Sequence, residues 1–189
     1  MNESLLLWIN QGWQSPQLDV LFIWLSAKKT FSFPLLASII LFLGWRYGKP
    51  GWWLGLAMIL VAASGDLLGN ILKSLFAHPR PCLEYWDQVR MPRASSSRCM
   101  SSESGMPSNH ALNFFATFTF LAFFVRRHSF TIAVIVLSSL VAISRVYLGE
   151  HFPAQVITGA GIGILYGLLI AVICKKTIYD KLNIYQQVI

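Results

Sequence analysis

The sequence predicts an all-α membrane protein, a polytopic bundle of five to six transmembrane helices preceded by an N-terminal interfacial helix. Of its 189 residues, 55% are hydrophobic and 12% charged, too apolar for a surface that faces water. The apolar residues gather in runs approaching the roughly 20 residues that a spanning helix requires. The basic residues fall in short clusters between those runs, where membrane proteins anchor their spans.

Residues 1–27 mix apolar clusters with Gln11, Gln14, Pro16 and Asp19, a pattern read as an amphipathic interfacial helix followed by a short re-entrant or spanning helix. This start carries no basic n-region and no small-residue cleavage site, so the segment is expected to stay in the fold. Spans are expected over Phe31 to Trp45 (extendable toward Leu25), Trp52 to Phe76, Ala111 to Val125, Phe130 to Val146, and Val156 to Cys174. Residues 77–107 form an outward loop whose Ser-rich piece, ASSSRCMSSES, separates no domains. The whole chain, 1–189, therefore reads as one membrane domain without internal repeats.

The net charge of +7 does not indicate nucleic acid, because the cations do not line a water-facing stripe. Arg46, Lys49, Arg126, Arg127, Lys175, Lys176 and Lys181 share one end if the spans alternate, and the positive-inside rule makes that end cytoplasmic. Lys28, Lys29, Arg90, Arg93 and Arg98 fall at the other end. Trp52, Trp53, Tyr85, Trp86 and Tyr147 fit interfacial positions. Cys82 and Cys99 lie in the outward loop, and their spacing leaves a disulfide and two free thiols equally open.

Polar residues then interrupt the membrane pattern at three places. The second span ends in GDLLGNILKSLFAHPRP, where Lys73 and Arg80 sit at head-group depth and the prolines stop the helix. Asp66, Asn70 and Lys73 share one helical stripe, so Asp66 is expected to face the bundle and to support the polar site through Asn70 or water. The third span begins PSNHALNFF. Ser108 is expected to cap it, leaving outward backbone N–H groups as an anion site, with His110 in the first turn. The fourth span ends at Ser144 and Arg145, and His151 follows before Pro153, at the expected mouth of a pocket. A guanidinium fork suits phosphate oxygens, and a neutral imidazole can act as nucleophile or base.

Lys73 with six residues before Arg80-Pro81, then Pro107-Ser108-Asn109-His110, then Ser144-Arg145 with five residues before His151, resembles the three-part signature of the type 2 phosphatidic acid phosphatase superfamily. Asn109 stands where Gly is common, and Gln155 where many members carry Asp. The resemblance implies metal-independent, cofactor-free hydrolysis of a phosphate ester through a phosphohistidine. His151 would be the nucleophile and His110 the general acid and base. Lys73, Arg80, Ser108 and Arg145, with the amides of Asn109 and His110, would hold the phosphoryl group. Gln155 would orient His151 by accepting its Nδ1 proton, Glu150 being a second source of negative charge, while His78 and His128 are expected to matter little. The implied partners are a membrane lipid phosphate and the bilayer, with no nucleic acid and no obligatory protein partner. Undecaprenyl diphosphate ranks first by family frequency. Lipid A 1-phosphate, phosphatidylglycerophosphate and phosphatidic acid follow, beside transfer to a lipid hydroxyl and a non-catalytic lipid-binding or transport role. The implied location is the bacterial cytoplasmic (inner) membrane, with the site facing the periplasm or cell exterior.

Overall fold

Prolines, glycines and two left-handed residues, Ala77 and Arg126, mark where this chain turns. A computed structural model describes residues 2–92 and 104–182. Helix α1 spans Asn2–Asn10 and α2 spans Pro16–Ser26. Ser15 caps α2, its Oγ accepting from Leu18 N at 3.2 Å, and Pro16 begins the helix. A π-helical turn, Lys28–Ser32, runs into α3, Phe33–Tyr47. Gly48 (φ 63°) then reverses the chain into α4, Lys49–Phe76. The short α5, Pro81–Glu84, precedes α6, Asn109–Val125, α7, His128–Tyr147, and α8, Pro153–Leu182.

Four helical segments are long and apolar enough to cross a membrane: Lys28–Tyr47, Lys49–Glu84, His128–Tyr147 and Pro153–Lys175; the shorter α6 is the fifth apolar helix. The all-helical membrane bundle expected from the sequence is therefore observed among the described residues. The first span starts earlier than the apolar run, because the π-helical turn takes in Lys28 and Lys29. The last starts at Pro153, which places Gln155 in its first turn. The N-terminal segment forms two helices of 9 and 11 residues, each shorter than a span.

The apolar helix α6 packs at the centre, with Ala111, Leu112, Ala116 and Phe120 fully buried. Its closest neighbour is α8, which presents Gly159, Gly163 and Gly167 at intervals of four. A Cβ at those positions would fall 2.6 Å from Ser108 O, 2.4 Å from Leu112 O and 2.3 Å from Ala116 O. Such close backbone approach is how helices pack where lipid competes for apolar contacts. Leu41, Leu60, Ile132 and Leu165 are exposed, as suits residues facing lipid. Tyr147 faces the protein rather than lipid or water: it is fully buried beside Phe22, with its hydroxyl on Asp19 Oδ1 at 2.6 Å.

A polar clamp ties the N-terminal helices to this bundle. Buried Asn10 donates from Nδ2 to Arg90 O (2.8 Å) and Tyr147 O (2.7 Å) and accepts from Arg90 N at 2.8 Å. Arg90 in turn grips both oxygens of Asp19, at 2.9 and 2.7 Å, and lies over the Tyr147 ring. The Arg90 hydrogen bonds hold the Asp19 carboxyl below the usual carboxylate range, against the opposing effect of burial. Cys82 is disulfide-bonded and Cys174 is free; Cys99 lies outside the described residues, as does the Ser-rich piece up to Glu103.

Candidate active site

Three chain segments meet at one end of the bundle. The end of α4 supplies Lys73, and the extended stretch after it buries Arg80 against α5. The start of α6 supplies Ser108, Asn109 and His110, and the turn from α7 to α8 supplies Arg145, His151 and Gln155. In that turn Glu150 N and His151 N both reach Arg145 O, at 3.0 and 3.2 Å, and Gly149 (φ 71°) makes the left-handed bend. Ser108 N donates to Gln155 O at 3.1 Å, locking the starts of α6 and α8 together.

Arg80, Ser108, Arg145, His151 and Gln155 are enclosed rather than set at an open mouth, while Lys73, Asn109 and His110 are half-buried. His151 is 2% exposed, Arg145 3% and Gln155 0%. The cover comes from α2, whose last residue, Ser26, is buried between two site residues: Arg145 Nη1 donates to Ser26 Oγ, and His110 Nε2 lies 3.0 Å from Ser26 O. A carbonyl only accepts, so His110 carries its proton on Nε2. Arg145 Nη2 also pairs with Glu150 Oε2, which fixes the guanidinium in place.

Gln155 fixes the state of His151. Its Oε1 accepts from Phe152 N at 3.1 Å and lies 3.1 Å from His151 Nδ1, while its Nε2 donates to Pro79 O at 2.7 Å. A backbone N–H on one side and a carbonyl on the other permit one amide orientation only. His151 Nδ1 must therefore be the protonated nitrogen, and the lone pair of the neutral ring sits on Nε2. Burial pushes the His151 imidazole well below the usual histidine range, and the fields of Arg145, Arg80 and Lys73 push the same way, outweighing the hydrogen bond to Gln155. The ring is thus neutral and poised with a free Nε2.

Among the described residues, the buried polar atoms at this end without a hydrogen-bond partner include two donors, Ser108 Oγ and Arg80 Nε. Ser108 occupies the N-cap position of α6, but its hydroxyl makes no capping bond, contrary to the expectation from sequence. Unpartnered buried donors are costly, and an oxyanion bound beside them would satisfy both. The Asn109 side chain turns away into α4, donating to Asp66 Oδ1 (3.2 Å) and Asn70 Oδ1 (2.9 Å). Its backbone N–H is the part left for an anion. Asp66 also accepts from Asn113 Nδ2 at 2.8 Å and pairs with Lys28 Nζ at 3.3 Å, so Asp66 anchors Asn109 directly rather than through water. Gly65 and Gly69 make room for this: a Cβ there would meet Asn113 Oδ1 at 2.6 Å and Asn109 Oδ1 at 2.4 Å.

Behind His110 a cavity of about 270 Å³ opens between α3, α4 and α6. Its walls are apolar, with Phe33, Leu36, Phe114 and Phe118, while Lys28, Asp66 and His110 mark its polar end. Among the described residues no group of three His, Cys, Asp or Glu side chains is placed to hold a metal ion.

Sequence reasoning missed Ser26 and His78. Nothing in the sequence signals Ser26, which reaches the site only through the fold of α2. His78 has a signal, since it stands two residues before Arg80, although the motif resemblance gives it no role. Its Nδ1 lies 3.0 Å from Gln155 Nε2, and its ring packs edge-on against Phe152. His128 begins α7, at the opposite end of the bundle.

Comparison with known proteins agrees with this geometry. Residues 50–179 match the model of the family described as the PAP2 superfamily. Lipid phosphate phosphatase delta of Arabidopsis thaliana is 29% identical over 167 residues, covering 82% of this chain and 38% of that protein. Phosphatidylglycerophosphatase B of Bacillus subtilis is 32% identical over 127 residues, covering 62% of this chain and 57% of that protein. The chain thus spans between about two fifths and three fifths of these relatives' lengths. Among solved structures, a transmembrane PAP2 type phosphatidylglycerolphosphate phosphatase from Bacillus subtilis superposes with a TM-score of 0.69 at 26% identity, covering 92% of this chain and 86% of that one. LpxE of Aquifex aeolicus superposes with a TM-score of 0.67 at 26% identity, covering 89% and 93%.

Proposed function

The chain belongs to the PAP2 superfamily, and from that premise we propose that it is a membrane phosphatase that cleaves a lipid phosphate or diphosphate through a phosphohistidine on His151. The observation that carries this reading is the buried, neutral His151, held by Gln155 with its Nε2 lone pair free. Nε2 attacks the terminal phosphorus, an N–P bond forms, and the P–O bond to the leaving group breaks, the leaving group being the lipid alcohol of a monophosphate or the lipid phosphate of a diphosphate. His110, as an imidazolium beside the bound phosphate, gives its Nε2 proton, now shared with Ser26 O, to the departing oxygen and becomes the neutral ring with its proton on Nδ1. The same nitrogen then takes a proton from the water that cleaves the N–P bond, releasing phosphate and restoring His151. Arg145, Arg80, Lys73, the Ser108 hydroxyl and the backbone amides at the start of α6 stabilise the phosphoryl charge. Phosphoryl transfer consists largely of such positioning and charge stabilisation.

The cavity beside His110 gives the leaving group a place: a lipid oxygen protonated by His110 has its chain directed toward Phe33, Phe114 and Phe118. A single groove of about 270 Å³ suits one chain better than the several acyl chains of lipid A. We therefore rank undecaprenyl diphosphate first, ahead of phosphatidylglycerophosphate and lipid A 1-phosphate. Arg46, Lys49, Arg126 and Arg127 lie at the end away from His151, which supports a site on the periplasmic or outer face of the cytoplasmic membrane. The test is phosphate release from these three lipids in detergent, with EDTA present and His151→Ala as the control. Release from at least one lipid by the parent alone is expected. Near-parental turnover by His151→Ala would sink the reading.

A further inference from the structure

The amide of Gln155 is fully buried and every one of its hydrogen-bonding positions is engaged. Oε1 serves His151 Nδ1 and Phe152 N; one hydrogen on Nε2 goes to Pro79 O, and the second faces His78 Nδ1 at 3.0 Å. His78 Nδ1 also lies 3.1 Å from Pro79 O. Were it protonated and donating there, its N–H would meet the second amide hydrogen of Gln155 head-on. Only an unprotonated Nδ1 on His78 satisfies all the groups at once. His78 is itself held in place. Its carbonyl accepts from Gly105 N at 2.7 Å, and its ring stands edge-on to Phe152, 5.9 Å between centroids. Gly105 closes the amide in from another side, since a Cβ there would fall 2.5 Å from Gln155 Oε1.

We propose that His78 is a positioning residue for His151: by accepting the second amide hydrogen of Gln155, it keeps Oε1 on the Nδ1–H of His151 and the His151 lone pair on Nε2. The inference rests on the phosphohistidine reading for its consequence in turnover, but the hydrogen-bond chain from His78 through Gln155 to His151 is a claim about protonation that can be tested separately. Without His78, the amide keeps one donor partner instead of two and gains freedom to swing away from His151.

The experiment uses the full chain in detergent. Ring ¹⁵N shifts of the parent are expected to show protonated Nδ1 and bare Nε2 on His151, and bare Nδ1 on His78. A proton on Nδ1 of His78 overturns the proposal without reference to activity. In initial rates on one lipid phosphate, His78→Leu is expected to lower kcat about 5- to 10-fold, the equivalent of one buried hydrogen bond, with KM unchanged. His78→Asn, whose Oδ1 can replace Nδ1 as acceptor, is expected to stay within about twofold of the parent. The double variant His78→Leu/Gln155→Leu is expected to be no slower than Gln155→Leu alone. Parental kcat in His78→Leu, equal loss in His78→Asn, or multiplying losses in the double variant would each refute it. Activity surviving in His151→Ala would instead overturn the proposed function, and the ring shifts would still decide the role of His78.

Discussion

Gly163→Ala adds one methyl group at the tightest kind of contact this fold contains. The added Cβ would sit 2.4 Å from Leu112 O and 3.1 Å from Ala116 N, both backbone atoms of α6 that no rotamer change can move. Restoring ordinary contact needs about 1 Å of separation between α8 and α6, and overpacking of this sort costs roughly 1–3 kcal/mol. Alanine returns roughly 0.5–1 kcal/mol of helix propensity. The net destabilisation is then about 1–2 kcal/mol, or a Tm lower by roughly 2–8 °C for a chain of this size. The site is affected too, because the bond from Ser108 N to Gln155 O, 3.1 Å, spans the same interface. Lengthening it by the same amount breaks it, and a displacement of ~1 Å at a reacting group can cost up to about 100-fold in rate. Gly161→Ala, two residues away on the same helix where a Cβ meets nothing within 4 Å, is the matched control and is expected to be neutral or slightly stabilising. Thermal unfolding in detergent and phosphate release on both variants provide the assay. Equal stability and rate in Gly163→Ala and Gly161→Ala would refute the close packing of α6 on α8.

Asp19→Asn removes the charge that Arg90 grips, and a loss of about 1–2 kcal/mol is expected at pH 7 from thermal or denaturant unfolding. Because the folded carboxyl titrates below its unfolded value, this stabilisation is full above about pH 4 and fades as pH falls through the folded pKa. The gap between parent and variant should therefore narrow in acid, and a gap independent of pH would contradict the ion pair's role. Topology is checked by single cysteines at Asp87 and Arg127, both exposed and at opposite ends of the bundle, in a background lacking Cys174. An impermeant thiol reagent on intact cells should label the cysteine at Asp87 and spare that at Arg127; the reverse pattern would place the site in the cytoplasm. Asp66→Leu leaves Asn109 and Asn113 without their shared acceptor and Lys28 without its partner. A kcat loss of about 10-fold or more is expected, since two half-buried amides are released at the start of α6. Parental kcat in a folded variant would show that α6 is positioned without them.

The spans were legible because lipid demands long apolar runs, and the positions of Lys73, Arg80, Arg145 and His151 were legible because charge inside such a pattern is rare. What the sequence concealed depends on which helices touch. Gly159, Gly163 and Gly167 form a stripe only once α8 lies against α6. Tyr147 has the composition of an interfacial anchor, yet the N-terminal helices cover it and Asp19 satisfies its hydroxyl. Ser108 has the residue type and position of an N-cap, but its hydroxyl is left unpartnered in the buried site. Asp66 lies in the expected stripe, though its partners, Asn109, Asn113 and Lys28, come from other elements. His78 stands beside a recognised motif and is expected from the sequence to matter little, since its contact with Gln155 joins residues 77 apart in the chain.

The measurement that bears most directly on the account is capture of the covalent intermediate. The purified chain is mixed with lipid carrying ³²P in its terminal phosphate and quenched within the first turnover. The account predicts label on the protein that survives alkali, is lost in mild acid, and disappears in His151→Ala. It predicts persistent label in His110→Ala, where water is no longer activated. Label retained in a folded His151→Ala variant, or parental phosphate release by that variant, would contradict it.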